Sequence, residues 1–138
     1  MTRWVCPRCD REFGRTHQAH VCVPGSTVDE SFAGRPAYQR EIYQRIVADL
    51  TELGPYHADA MSVGVFLKHR RTFVEVRPKA CSLNLELVLP ESVEDDRVAR
   101  RLPISAGRVV HTIKLTDPGQ YDHQVREWLA LAYHSTGI

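Results

Sequence analysis

Three cysteines and two histidines crowd into seventeen positions near the N-terminus, as Cys6-Pro7-Arg8-Cys9 followed by His17-Gln18-Ala19-His20-Val21-Cys22. The large apolar side chains around them are few: Trp4, Val5, Phe13, Val21 and Val23. So small a core cannot offset the entropy of ordering the segment, and a staple is required. A disulfide framework suits an even, dispersed set of cysteines in a secreted chain. Here the cluster is odd, and Cys81 stands alone far downstream. The chain runs from Met1-Thr2-Arg3-Trp4 straight toward Cys6 without an apolar signal region, so the expected compartment is the cytoplasm, where thiols stay reduced. Metal is the staple these residues predict.

Cys6 and Cys9 form a Cys-x2-Cys knuckle, whose tight turn brings two thiolates to one tetrahedral ion. The second half offers His17, His20 and Cys22 for two places. His17 and His20 are closer together than the usual pair of histidines in a two-histidine finger, and zinc generally prefers thiolate to imidazole. The residues therefore point to Cys22 as third ligand and His20 as fourth, with His17 as the competing histidine; a two-histidine site that omits Cys22 is the other arrangement. Four protein ligands close the coordination sphere, which makes the expected Zn2+ structural and not catalytic.

Beyond Val23-Pro24-Gly25-Ser26-Thr27 the character of the chain changes. Residues 1–24 read as the zinc knuckle, 25–36 as a linker and 37–138 as the main domain. Within the linker, Val28 to Gly34 has the makings of a helical turn with Phe32 as an anchor. Tyr38, Ile42, Ile46, Leu50 and Leu53 recur at helical spacing until Gly54-Pro55 ends the pattern. The period then becomes two. Strands are expected over Ser62–Lys68, Thr72–Arg77, Ser82–Leu89 and Arg108–Leu115, with residues 91–107 irregular apart from one helical turn near Asp96–Arg101. Thr116-Asp117-Pro118, with Gln120, opens a final helix striped by Tyr121, Val125, Trp128, Leu129 and Ala132. The expected fold class is α+β: a four-stranded antiparallel sheet with two helices on one face, in the order α-β-β-β-β-α.

The 138 residues are 43% hydrophobic and 25% charged with a formal net charge of +1, the balance of a soluble globular protein with no global pull toward nucleic acid or membrane. No apolar run approaches the ~20 residues that span a bilayer. Local charge is more telling. Lys68, His69, Arg70, Arg71, Arg77 and Lys79 concentrate on one hairpin and its exit, with Glu75 as the acid among them. Lys68, Arg70, Arg71, Arg77 and Lys79 are accordingly the candidate nucleic-acid contacts. His57, Asp59, His69 and His111 are the candidate acid–base groups. Cys81 reads as a small buried hydrophobe, and Glu75 and Glu86 as solvent-facing strand residues.

The Cys-Pro-x-Cys…His-x-Cys knuckle, Phe32–Pro36, Leu53-Gly54-Pro55, the hairpin Val63–Val76, Leu83–Pro90, and Arg108–Leu115 with the helix Tyr121–Tyr133 together resemble the bacterial domain-of-unknown-function family 5655. The likeness runs from Trp4 to Tyr133. It implies an α+β domain, found elsewhere beside nuclease-like modules or in proteins labelled as predicted transporters, and it favours His20 and Cys22 over His17. It brings no activity.

The resulting expectation is a zinc-binding, non-catalytic recognition module for nucleic acid or a protein partner. The alternatives are a small acid–base enzyme, or a small-ligand-binding protein with a pocket between sheet and helices. Against an enzyme stands the lack of a nucleophile elbow, a phosphate-cradling glycine loop, an open metal site or a dense carboxylate pair.

Overall fold

A computed structural model describes residues 4–5, 12–14, 27–61 and 63–136. Two short strands, β1 (Trp4–Val5) and β2 (Glu12–Phe13), pair antiparallel, with Trp4 opposite Phe13. The segment joining them carries Cys6 and Cys9.

The main domain begins inside the segment read as linker. Thr27 caps α1 (Val28–Phe32) by accepting a hydrogen bond from the Glu30 amide, and Phe32 is buried in the core. An ion pair between Asp29 and Arg40 ties α1 to α2 (Ala37–Leu53). The apolar stripe of α2 behaves as its spacing predicts: Ile42, Ile46 and Leu50 are fully buried. Gly54 ends the helix at φ +146°, where a side chain would collide with the Tyr133 hydroxyl.

Six strands follow, not four: β3 (His57–Met61), β4 (Gly64–Lys68), β5 (Thr72–Pro78), β6 (Leu83–Leu89), β7 (Val98–Ser105) and β8 (Arg108–Leu115). They form one antiparallel sheet in the order β3-β4-β5-β6-β8-β7. The expected strands thus occupy the centre, and the two additions are its edges. His57–Met61 lacks β-branched and aromatic residues, so its sequence reads as loop; its pairing partner in β4 makes it a strand. Residues 98–105, expected to be irregular or helical, instead pair with β8. At the other side of the sheet, Gly64 lies so close to the Val76 carbonyl oxygen that no side chain would fit.

The final helix also starts later than expected. Asp117 caps only a 3-10 turn (Pro118–Gln120), and α3 (His123–Thr136) has its own cap at Asp122, which accepts from the Val125 amide at 3.1 Å. Val125, Trp128, Leu129 and Ala132 of α3 join the α2 stripe over Leu83, Leu85, Leu87 and Leu89 of β6. Helices therefore cover one face of the sheet. A bulge at Phe73 points both Phe73 and Val74 into that core and returns Thr72 to the opposite, helix-free face.

Candidate ligand-binding face of the sheet

The helix-free face is ordered in cross-strand rows. Asp59, Phe66, Glu75, Glu86, Thr112 and Arg100 are successive register partners across all six strands. One step along the strands, Val88, Val110 and Leu102 make the next row. A depression of about 220 Å³ opens over these two rows. Val88 and Val110 contribute to its lining with Leu102 and Ile104, which are 44% and 48% exposed. Glu75, Glu86, Thr112 and Arg100 lie toward one end, and Thr72 and Arg108 toward the other. A second depression of about 120 Å³ adjoins it through Val88 and Arg108 at the end of the sheet, where Arg71, Gly107 and, from the last turn of α3, Ser135 and Thr136 complete it.

The charge on this face is unevenly satisfied. Arg77 binds Glu75 at 2.7 Å and Glu86 at 3.2 Å. Glu86 has its pKa raised, first by burial and then by the hydrogen bond and charge of Glu75, against the opposing charges of Arg77 and Arg100. At the sheet edge, Asp59 is 5% exposed and receives Lys68 Nζ at 2.6 Å while pairing with His57 Nε2 at 2.8 Å. Burial works to raise the Asp59 pKa, but hydrogen bonds and charges from Lys68 and His57 outweigh it and hold the carboxyl below its ordinary value. Arg71, Arg100 and Arg108, by contrast, have no carboxylate within ion-pair distance among the described residues. Arg108 Nε is moreover buried without a hydrogen-bond partner.

This placement divides the basic cluster expected from the sequence. Lys68 and Arg77 are held by intramolecular carboxylates. Lys79 sits in the β5–β6 turn, at the far end of a seven-residue strand from Arg70 and Arg71; at roughly 3.3 Å per residue that is about 20 Å away. Arg70 and Arg71 remain exposed in the β4–β5 turn, and Arg71 gains Arg108 as a neighbour from the β7–β8 hairpin. His69 is not a solvated tip residue either: its ring stacks on Tyr133 at 4.3 Å, and Tyr133 in turn donates to the Pro55 carbonyl.

The remaining sequence candidates separate clearly. His111 is fully buried on the core side, where its Nε2 accepts from the Val93 amide and its Nδ1 donates to the Val109 carbonyl. Burial is the largest influence on its pKa and lowers it. His57 and Asp59 do form a pair, on β3 and not in a loop. Cys81 is exposed, contrary to the buried position expected of it. Glu75 and Glu86 are half-buried partners and form the close carboxylate pair that the sequence reading did not find. A further cluster missed by sequence is Asp49, which accepts from the Tyr121 hydroxyl at 2.5 Å and from Arg126 at 3.0 Å, joining α2 to α3.

The expected zinc ligands Cys6, Cys9, His20 and Cys22, with His17, lie outside the described residues. Among the described residues no group of three or more His, Cys, Asp or Glu side chains is arranged to hold a metal ion. No helix among them is long and apolar enough to cross a membrane.

The family model described as Domain of unknown function (DUF5655) matches residues 28–136. The chain belongs to this family. The DUF5655 match begins at Val28, the first residue of α1, so it takes in the helix assigned to the linker and leaves the cysteine-rich segment outside. Every residue of the helix-free face described above falls within the DUF5655 span. No curated protein and no solved structure matches the chain.

Proposed function

We propose that this chain is a non-catalytic recognition module, and that the helix-free face of its sheet binds a partner through an anionic group. The observation that carries this reading is the set of arginines without an ion pair, Arg71, Arg100 and Arg108, around adjoining depressions, the larger of them with apolar walls. A buried guanidinium nitrogen without a hydrogen-bond partner is costly to leave unsatisfied, and a phosphate or carboxylate would satisfy it with a charge-assisted bond.

The acid–base candidates support a non-catalytic assignment. His111 spends both ring nitrogens on backbone groups, and Asp59 is engaged by Lys68 and His57. The N-terminal segment adds a structural zinc held by Cys6, Cys9, His20 and Cys22. The β1–β2 ribbon supports that assignment, because its connection carries Cys6 and Cys9.

Nucleic acid is one source of the anionic group; a small phosphate or carboxylate is the other. The depressions favour the small group, since Glu75 and Glu86 on the same face repel a polyphosphate backbone. The test is titration of wild type and Arg71→Ala/Arg108→Ala with inorganic phosphate and with a short single-stranded oligonucleotide at several salt concentrations. The double variant is expected to bind phosphate about tenfold more weakly, the equivalent of about 1.4 kcal/mol. An oligonucleotide bound with a salt slope of several units would make nucleic acid the partner. Failure of wild type to bind either anion would remove the proposal.

A further inference from the structure

Recognition of an anion leaves one end of the larger depression without a purpose. Glu75 and Glu86 stand directly opposite each other across β5 and β6, where like charges oppose pairing. Among the described residues Arg77 is the one cation in contact with them, and it is shared by both carboxylates. Within ion-pair distance two carboxylates therefore share one guanidinium at the rim of a solvent-open site, while Arg100 acts on Glu86 from beyond Thr112. Nothing in the packing of the sheet asks for this: Asn84 and Thr112, their neighbours on the same face, serve the strand without charge.

The other end of the depression is positive. From Thr112, beside Glu86, to Arg108 there are four residues of β8, about 13 Å between Cα atoms at ~3.3 Å per residue. Glutamate and arginine side chains reach into that interval from both sides, so the space between the charged heads suits a short chain. Between them lie Val88 and Val110, flanked by Leu102 and Ile104, all without a polar side-chain atom. The depression thus has an end that carries two carboxylates, an apolar middle and an end that carries Arg108.

The geometry points to a zwitterionic ligand: an ammonium or guanidinium group at Glu75–Glu86, an apolar stem across Val88 and Val110, and an anionic group at Arg108, beside Thr72. This rests on the anion-binding reading above and adds to it a second, oppositely charged pole. A cation placed at the carboxylate pair supplies a second ion-pair partner in contact, where Arg77 is shared by both carboxylates and Arg100 stands farther off. The depression of about 220 Å³ limits the ligand to a small molecule, or to one charged side chain and a neighbouring acid of a larger one. A free zwitterion and a peptide carrying the same two groups share this chemistry, and probes of both kinds separate them.

The experiment is an NMR titration of the full chain with 6-aminohexanoate, and with its single-pole analogues hexanoate and hexylamine. A blocked peptide containing one lysine and one glutamate forms the second arm. Wild type is expected to bind 6-aminohexanoate at least about tenfold more tightly than hexanoate, about 1.4 kcal/mol. Glu75→Gln/Glu86→Gln should erase that advantage and leave hexanoate affinity unchanged. Should the double variant not fold, Glu86→Gln alone must still reduce the advantage. Arg108→Ala should weaken both carboxylate probes alike. Tighter binding of the peptide than of 6-aminohexanoate would assign the two charges to a protein partner. Equal affinity of wild type for 6-aminohexanoate and hexanoate would overturn the zwitterion and leave the anion reading standing. Absence of hexanoate and phosphate binding altogether would overturn both.

Discussion

Glu75 and Glu86 lie opposite each other on adjacent strands, eleven positions apart in the chain, with Arg77 joined to Glu75 at 2.7 Å and to Glu86 at 3.2 Å. The raised pKa of Glu86 fixes the sign of its pH effect. A carboxyl whose folded pKa lies above its unfolded value contributes stability that is fully present below the unfolded value, and loses it as pH rises through the folded one. Glu86→Gln removes the repulsion and should stabilise the domain at neutral pH by about 0.2–1 kcal/mol. Urea denaturation should show the gap between variant and wild type closing as pH falls toward the ordinary carboxylate range. A gap that widens on acidification would mean that Glu86 is not the strained member.

Asp59 behaves in the opposite sense. Its folded pKa is lowered, so its contribution is present above the ordinary aspartate value and is lost as pH falls through the folded one. Asp59→Asn removes the carboxylate charge and replaces one of the two acceptor oxygens that serve Lys68 and His57, and should destabilise the domain by about 1–3 kcal/mol at neutral pH. The wild type should lose this margin on acidification below the ordinary aspartate range. An Asp59→Asn variant as stable as wild type at pH 7 would show that the β3 edge is not held by this pair.

His111 pins the segment before β7 by accepting from the Val93 amide, while Arg101 donates to the Val93 carbonyl at 2.7 Å. A base with a lowered folded pKa contributes stability above its unfolded value and loses it as pH falls. His111→Ala leaves the Val93 amide without its partner and opens a cavity in the core, so a loss of about 2–4 kcal/mol is expected. In the wild type, the Val93 amide resonance should shift as pH drops below the usual histidine range of about 6.5. An amide insensitive to both changes would exclude this anchor.

The proposed N-terminal zinc is tested by composition and by removal. Metal analysis should find one zinc per chain, and Cys22→Ser should lower its occupancy more than His17→Ala. Stripping the metal should abolish structure in residues 1–24, since structural zinc contributes on the order of 10 kcal/mol to such units. The span from α1 to α3, with its own core, should still unfold cooperatively. Equal zinc occupancy in wild type and Cys22→Ser would remove Cys22 from the site.

The centre of this fold is legible in the sequence because its periodicity is strong. Leu83, Leu85, Leu87 and Leu89 alternate cleanly, and the α2 stripe is regular. The edges are not. β7 carries Arg100, Arg101 and Pro103, residues that protect an exposed strand from further pairing and at the same time erase its apolar pattern. β3 takes its conformation from its partner and not from its own residues. The carboxylate pair was hidden by a small shift of register. The hairpin closes with the Lys79 amide donating to the Ser82 carbonyl, which sets Glu75 against Glu86. With strands expected to end at Arg77 and resume at Ser82, the turn falls over Pro78–Cys81, which sets Glu75 against Asn84 instead. Arg71 and Arg108, 37 positions apart, meet only because β8 lies next to β6 and carries the β7–β8 hairpin to the same end of the sheet as the β4–β5 turn.

The most direct measurement of anion recognition by the helix-free face is residue-by-residue NMR mapping of inorganic phosphate on the wild-type chain. Saturable shifts are expected at Arg71, Gly107 and Arg108, extending to Thr136 beside them, and at Arg100 across the larger depression. The Arg45–Arg126 groove between α2 and α3 should stay unchanged, because Asp49 already engages Arg126 there. Shifts confined to Arg45 and Arg126, or to Lys79 at the far turn, with none at Arg71 and Arg108, would contradict a binding site on this face.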